Sequence, residues 1–334
     1  MPDTYTSQFS GEEIDSALRA AQMISGASTP AELRNKLEIR GDTIPVSATD
    51  PTPVSEALTA SGGGINPNLL DNWFFGRPVN QRGQTEYPSS NGFTYTIDRW
   101  LQNSSGVKIN DGYITVGGAG GFVQRIENID FLVGKQVTFS VLTTDNLYTG
   151  TTTFSKEVDH VFSNADNLFL LYNKYFNAFQ IAPSVAGATK NLLAAKLELG
   201  DTQTLAHKEN GDWVLNEIPD FGEQLRRCQR YFQRHEINTN AFIPAVMFGG
   251  ELNFAHFFIP FLTKMRTVPT ATVQNNGRFV TATGNVIFLN TTPQFDTRGS
   301  TEDFAAMTVQ FDALSAGVSG WVDSFGHIDF SADL

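Results

Sequence analysis

Cysteine is almost absent. A single Cys228 in 334 residues excludes an internal disulfide framework and the multi-cysteine zinc motifs, so stability has to come from packing or oligomerisation. Charge is scarce as well, at 17% of residues against the ~25% of an average globular protein. Basic residues are the scarcer kind, 23 against 35 acidic ones, and the net charge of -12 repels phosphate backbones and anionic lipid. Nucleic acid and membrane insertion are therefore not expected, and only "EQLRRCQRYFQR" (223–234) comes near a basic patch. No apolar run approaches the ~18 residues of a membrane span. The start, "MPDTYTSQFSGEEID", has neither a basic nor an apolar leader region, so a soluble product made in the cytoplasm is expected.

Apolar residues are plentiful, at 40%, with 27 Phe, enough for packed cores. The length suits two or three domains of ~100 to 150 residues. The first sixty residues differ from the rest. Ser10 and Glu13 form a capping box before "EEIDSALRAAQMI", where Ile14 and Leu18 share a narrow apolar face. Thr29, Pro30 and Glu32 open a second helix with Leu33 and Leu37 four apart. Lone helices this short are marginal in water, so residues 1–45 read as a helical attachment and oligomerisation segment joined through Ile14, Leu18, Leu33 and Leu37. Residues 46–64, rich in Pro and Gly, read as a linker.

From residue 65 the pattern alternates apolar and polar residues between Gly, Asn and Asp turns, as antiparallel strands do. The expected fold class is mainly β: a jelly-roll sandwich over 65–218 and a smaller C-terminal β domain over 219–334, led by a helix that Asp220 and Glu223 cap. The last strand of the sandwich is expected at "LLAAKLELG" (192–200), with "TLAHKENGDWVLNEIPD" (204–220) as loop. The glycines of "VGGAGGF" (116–122) read as a hairpin turn.

Motifs for chemistry are few. His160, His207, His235, His256 and His327 are scattered without metal spacing, and no nucleophile elbow, P-loop or dinucleotide fingerprint occurs in its proper context. Neither a catalytic residue nor a bound metal is expected, although "TTDN" (143–146) and "SNADN" (163–167) offer oxygen ligands for a structural calcium ion. Asp98, Asp111, Glu127 and Asp130 are the carboxylates from which a glycosidase pair would be drawn. Aromatics cluster in "NLLDNWFFGRPVNQRG" (68–83) and "FTYTIDRW" (93–100). Alternation puts Phe93, Tyr95 and Ile97 on one face, and Thr94, Thr96, Asp98 and Trp100 on the other. Trp100, standing among polar residues, is the expected ligand-stacking ring, with Asp98 beside it and Tyr113 as a second candidate. Trp73 and Phe75 are expected in the core.

These blocks, followed by "QVTFSVL", then "AAKLELGDTQTLAHKENGDWVLNEIPDFGEQLRRCQRYFQR", "MRTVPT" and "GHIDFSADL", occur in a characteristic order. That order resembles the carbohydrate-binding-module-like jelly roll of tail fibre, receptor-binding and baseplate-associated proteins of phages and prophages of gut bacteria. The resemblance spans roughly residues 66–334, and "STPAELRNKLEI" with "IPVSATDPTPVSEAL" resembles the attachment segments before such domains. It implies a non-enzymatic virion protein assembled in the host cytoplasm, a homotrimer whose partners are other tail or baseplate proteins and host surface polysaccharide. Similar jelly rolls also serve as structural spacers that bind no sugar. If the first segment trimerises, residues 1–64 fused to a monomeric carrier will sediment as a trimer. A monomeric fusion removes that assignment.

Overall fold

The computed structural model describes residues 45–47 and 50–53, and then Asn66 to Asp333 apart from 184–186, 238–242, 247–253, 276, 284–285, 289–292, 297–298, 311–318 and 324–325. Ile14, Leu18, Leu33 and Leu37, the proposed oligomerisation positions, lie outside the described residues. The chain divides after Ile65. In the first unit, β1 (Pro45–Ser47) and β2 (Asp50–Pro53) pair antiparallel. Asn66–Leu334 forms one compact unit, mainly β, that contains two hydrophobic cores.

The first core lies within a ten-stranded antiparallel sheet that curls on itself. Its strands are β3 (Glu86–Tyr87), β4 (Phe93–Tyr95), β5 (Leu101–Ile109), β6 (Ile114–Arg125), β7 (Gln136–Thr143), β8 (Leu147–Thr153), β9 (His160–Ala165), β10 (Leu168–Asn173), β11 (Ala178–Pro183) and β12 (Thr189–Leu199). β6 is the fork. Its first residues, Ile114–Gly117, pair with β12, its last, Phe122–Arg125, pair with β11, and β5 runs along its other edge. The glycines of "VGGAGGF" therefore sit inside one strand and make no hairpin turn. Gly120 is needed because β5 and β6 approach so closely there that a Cβ on it would stand 1.6 Å from the Asn103 carbonyl oxygen. At the far ends of the sheet β8 nears β9, where a Cβ on Gly150 would meet the Phe162 carbonyl at 1.7 Å.

Where β6 leaves β12, the segment Asn66–Phe75 takes its place. Leu69 and Phe75 donate backbone N–H groups to Leu197 and Leu193 at 2.8 Å, and the Asn68 amide donates to the Ala195 carbonyl. The aromatic cluster of "DNWFFG" is thus packed as expected, with Trp73 and Phe75 buried. On the opposite pleat of β12, Lys196 and Glu198 are also fully buried. Burying two charges requires partners. The stretch after β12 supplies them: Thr204 donates to Glu198, and Glu217 lies 3.3 Å from the Lys196 Nζ. That stretch is not a plain loop, because β13 (Ala206–Glu209) and β14 (Asp212–Leu215) form a hairpin across an Asn210–Gly211 turn with positive φ at both residues.

Helix α1 (Phe221–Gln229) follows, capped as its sequence indicates by the Asp220 carboxylate, which accepts the Glu223 N–H at 2.8 Å. Then come β15 (Phe232–Ile237), β16 (Ile243–Val246), β17 (Phe254–Pro260), β18 (Thr270–Val273), β19 (Arg278–Thr281), β20 (Val286–Phe288), β21 (Gln294–Phe295), β22 (Phe304–Gln310), β23 (Ser319–Asp323) and β24 (Gly326–Ser331). They make a three-stranded sheet, β15-β24-β18, and a seven-stranded sheet, β20-β19-β23-β16-β17-β22-β21. Phe257, Phe279, Met307, Val322 and Phe330 are among the side chains of the second core.

Gly120→Ala tests the close approach of β5 and β6. Because the atoms that a methyl would strike, in Asn103 and Ser104, belong to backbone, a loss of about 1–3 kcal/mol is expected, read as a lower urea midpoint. A variant as stable as the parent would show that the two strands do not pack this tightly.

Candidate functional site

The ring expected to stack on a ligand is enclosed. Trp100 is 0% exposed, stacked on Phe122 with centroids 4.5 Å apart, and its indole N–H donates to the Asp71 and Asn72 carbonyls. Alternation fails here because the strand ends at Tyr95. The chain then turns through Ile97–Trp100, with Arg99 at φ 71° and the Trp100 N–H donating back to Ile97. Of the polar neighbours that suggested an open face, Thr96 and Asp98 are themselves buried and Thr94 is exposed. Tyr113 lies apart, half-buried in the turn between β5 and β6, where its carbonyl accepts the Asn110 N–H.

Asp98, 1% exposed, belongs to a buried ionic seam between the first sheet and the β15–β24 sheet. Its carboxylate accepts from Arg82 at 2.9 Å and from the Gln81 amide at 2.8 Å. The Arg82 guanidinium lies over the Phe232 ring at 3.9 Å and reaches Asp333 at 2.6 Å, while Arg234 donates to the Arg82 carbonyl and pairs with Asp329. Burial pushes the Asp98 carboxyl up to about 6, against the opposing pull of Arg82, and raises Asp333 in the same direction. Of the other carboxylates considered for catalysis, Asp111 is an exposed turn residue and Asp130 pairs with Lys156 at the surface. Asp98 and Glu127 stand in separate polar groups.

Glu127 lines a cleft at the same seam. Asp71, Arg99, Arg227 and Arg230 lie around a cavity of about 190 Å³ with Phe131 and Tyr231 among its other walls. Arg99 donates to Asp71 at 3.0 Å and to the Arg125 carbonyl, and its guanidinium covers the Tyr231 ring at 3.6 Å. Tyr231 donates to Glu127 at 2.8 Å, and burial holds its hydroxyl up at about 12, so it stays protonated at neutral pH. Arg227 reaches the second Asp71 oxygen at 2.7 Å, and Arg230 lies 3.5 Å from Glu127. Arg227 and Arg230 of the basic stretch noticed in the sequence thus face this cleft; Asp71 and Arg99 come to it from more than a hundred residues away.

Sequence reasoning missed an exposed aromatic tip. At the tip between β10 and β11, Tyr175 is 80% exposed beside the part-exposed Phe176. The tip is fixed rather than loose: the Asn173 side-chain oxygen accepts the N–H groups of Tyr175 and Phe176, and Asp159 accepts that of Lys174. Phe176 packs edge-on against Phe93 at 4.6 Å, and Arg125 lies over the Phe93 ring. The signal available in "NKYFN" was two aromatics in a turn, where small polar residues are the rule.

The two loops that offered oxygen ligands use them to close turns. Thr143 accepts the N–H groups of Asp145 and Asn146, Asn146 accepts the Trp213 indole N–H, and Asp166 accepts the Tyr148 hydroxyl. Among the described residues, no group of three or more His, Cys, Asp or Glu is placed to hold a metal. Cys228 is buried, and burial raises its thiol well above the usual range, away from the reactive thiolate. No protein-family model, curated protein or solved structure matches this chain.

The seam sets a pH dependence. Asp98 binds its proton more tightly in the folded chain than at its ordinary value of 3.8, so its contribution to stability is complete below about pH 4 and is lost as pH rises through about 6. At ~1.4 kcal/mol per unit, the loss is about 3 kcal/mol. Asp98→Asn should therefore gain stability relative to the parent between about pH 4 and pH 7, measured as the difference in urea midpoints. Parallel curves would show that the carboxyl is not perturbed.

Proposed function

We propose that the chain is a phage tail fibre or receptor-binding protein that recognises host surface glycan without cleaving it. In this reading residues 1–45 attach it to the tail or baseplate, residues 46–64 link, 65–218 form a jelly-roll sandwich and 219–334 a smaller β domain. The protein works as a homotrimer in the virion, and its other partners are neighbouring tail proteins. The order of sequence blocks supports the phage assignment. The observation that carries recognition is the aromatic tip: Tyr175 is held out by a turn whose backbone is already hydrogen-bonded, so a flat apolar face is presented at little entropic cost. Each sugar contact is weak, and three copies per fibre make it useful, because avidity multiplies affinity by ~10² to 10⁴ without a new contact.

A second reading, a structural baseplate or tail-decoration component, is favoured by a different observation. On the C-terminal sheets Phe258 and Leu262 are 52% and 70% exposed beside an apolar hollow of about 400 Å³, a surface suited to packing on protein.

The experiment is binding of fluorescently labelled protein to intact host cells before and after periodate oxidation of surface sugars. Binding should vanish on oxidation and fall about tenfold or more in Tyr175→Ala, the usual cost of truncating an aromatic anchor. An assembled oligomer that ignores untreated cells would favour the structural component, and shortening of the polysaccharide would make the protein a depolymerase.

A further inference from the structure

We infer that the seam cleft is a second binding site, selective for a sugar that carries a carboxylate. The word sugar rests on the glycan reading above; the carboxylate does not. Its ground is a local inversion of charge. In a chain of net charge -12, the cleft gathers three arginines, Arg99, Arg227 and Arg230, against two carboxylates, Asp71 and Glu127. One positive charge is in surplus inside a cavity with low-dielectric walls, where a charge is felt more strongly than at an open surface.

The arginines differ in what they have left to give. Arg99 is buried and committed, with Asp71, the Arg125 carbonyl and the Tyr231 ring fixing its plane, so it serves as a rigid positive wall. Arg226, next along the helix, is turned aside and closed by Glu223 through two bonds. Arg227 meets Asp71 through one nitrogen, and Arg230 meets Glu127 only at 3.5 Å, the weak end of hydrogen bonding. Both are partly exposed on the cavity side, and a guanidinium carries five N–H donors in a planar fork that matches a carboxylate. Arg99 and Arg227 share the one carboxylate of Asp71, so a positive charge in the cleft goes unmatched, and Arg230, at its long contact with Glu127, is the least committed of the three.

Shape and polarity add the rest. Pockets for drug-sized ligands begin at ~300 Å³. A cavity of about 190 Å³ therefore takes one ring, not a chain. Phe131, 37% exposed on the short 3-10 turn Ile129–Leu132, gives that ring an apolar face, and Glu127 gives its hydroxyls an acceptor. A bound carboxylate would take the fork of Arg230 and the free edge of Arg227, with no proton or bond transferred.

The test is titration of the full-length protein with sodium glucuronate, glucose, sodium acetate and inorganic phosphate, followed by NMR or calorimetry. Glucuronate should bind at least about tenfold more tightly than glucose, which lacks the charge, or acetate, which lacks the ring, the difference expected for one charge-assisted hydrogen-bond pair. Arg230→Ala, at a half-exposed side chain, should abolish the preference with an unchanged urea midpoint, and Arg227→Gln should weaken it. Phosphate or acetate binding as tightly as glucuronate would reduce the cleft to a spot for any anion, and no binding by the folded protein would overturn the site. The tip keeps the two readings separable. Tyr175→Ala should lose cell binding and keep glucuronate, so cell binding without glucuronate binding removes only the cleft, and the reverse removes only the tip.

Discussion

Arg82 joins the loop of the first sheet to the C-terminal strands. One guanidinium lies on the Phe232 ring, donates to Asp98 from the loop of the first sheet and to Asp333 beyond the last strand, and its backbone carbonyl is held by Arg234. Such a group is stable only as a set, because any one charge left alone in the seam would lose its solvation with nothing in return. Arg99 repeats the arrangement nearby, between Asp71 and Tyr231. The loop from Asn72 to Trp100 has little regular structure of its own and is defined by these contacts, together with the Asn72 amide, which donates to the Val79 and Asp98 carbonyls. The cleft is a by-product of the same economy. It lies where helix α1 and the turn after it meet the first sheet through charges instead of through continuous apolar packing.

What the sequence made legible follows from how local each signal is. The helix after Asp220 was readable because a cap is written in four consecutive residues. Burial of Trp73 and Phe75, and strands such as β7 and β12, were readable from alternation and composition. Trp100 was misread because period two was carried across a turn that has no glycine or proline to announce it; Arg99 itself takes the left-handed conformation. The "VGGAGG" segment was misread for the opposite reason. Glycine is ambiguous between a turn and a close approach, and here the need was set by Asn103, about seventeen residues earlier and on another strand. The hairpin at Asn210–Gly211 did carry its usual two-residue signal, hidden among charged residues that looked like loop.

The candidate sites were less legible than the fold. Tyr175 could have been noticed as an aromatic in a turn, yet its exposure depends on Asp159 and Asn173 fixing the tip. The cleft had half a signature, the arginines of 223–234, but nothing local shows that Asp71, Arg99 and Glu127 converge on them. Polar neighbours in sequence therefore misled in both directions: around Trp100 they marked a buried network, and around Arg230 they marked an open one.

The link between Arg82 and Asp333 spans 251 residues of chain, and the link between Asn72 and Gln224 spans 152. Closing loops of that length has to precede any reward from the contacts they bring together, so folding of this unit belongs to the slow, high-contact-order class. On the ribosome the first sheet can assemble its core early, but Asp98 and Arg82 must wait in a half-built seam until β24 and Asp333 have emerged. During that interval the apolar edges of the first sheet and the unpaired arginines are open to wrong partners, including the same segment of a neighbouring nascent chain.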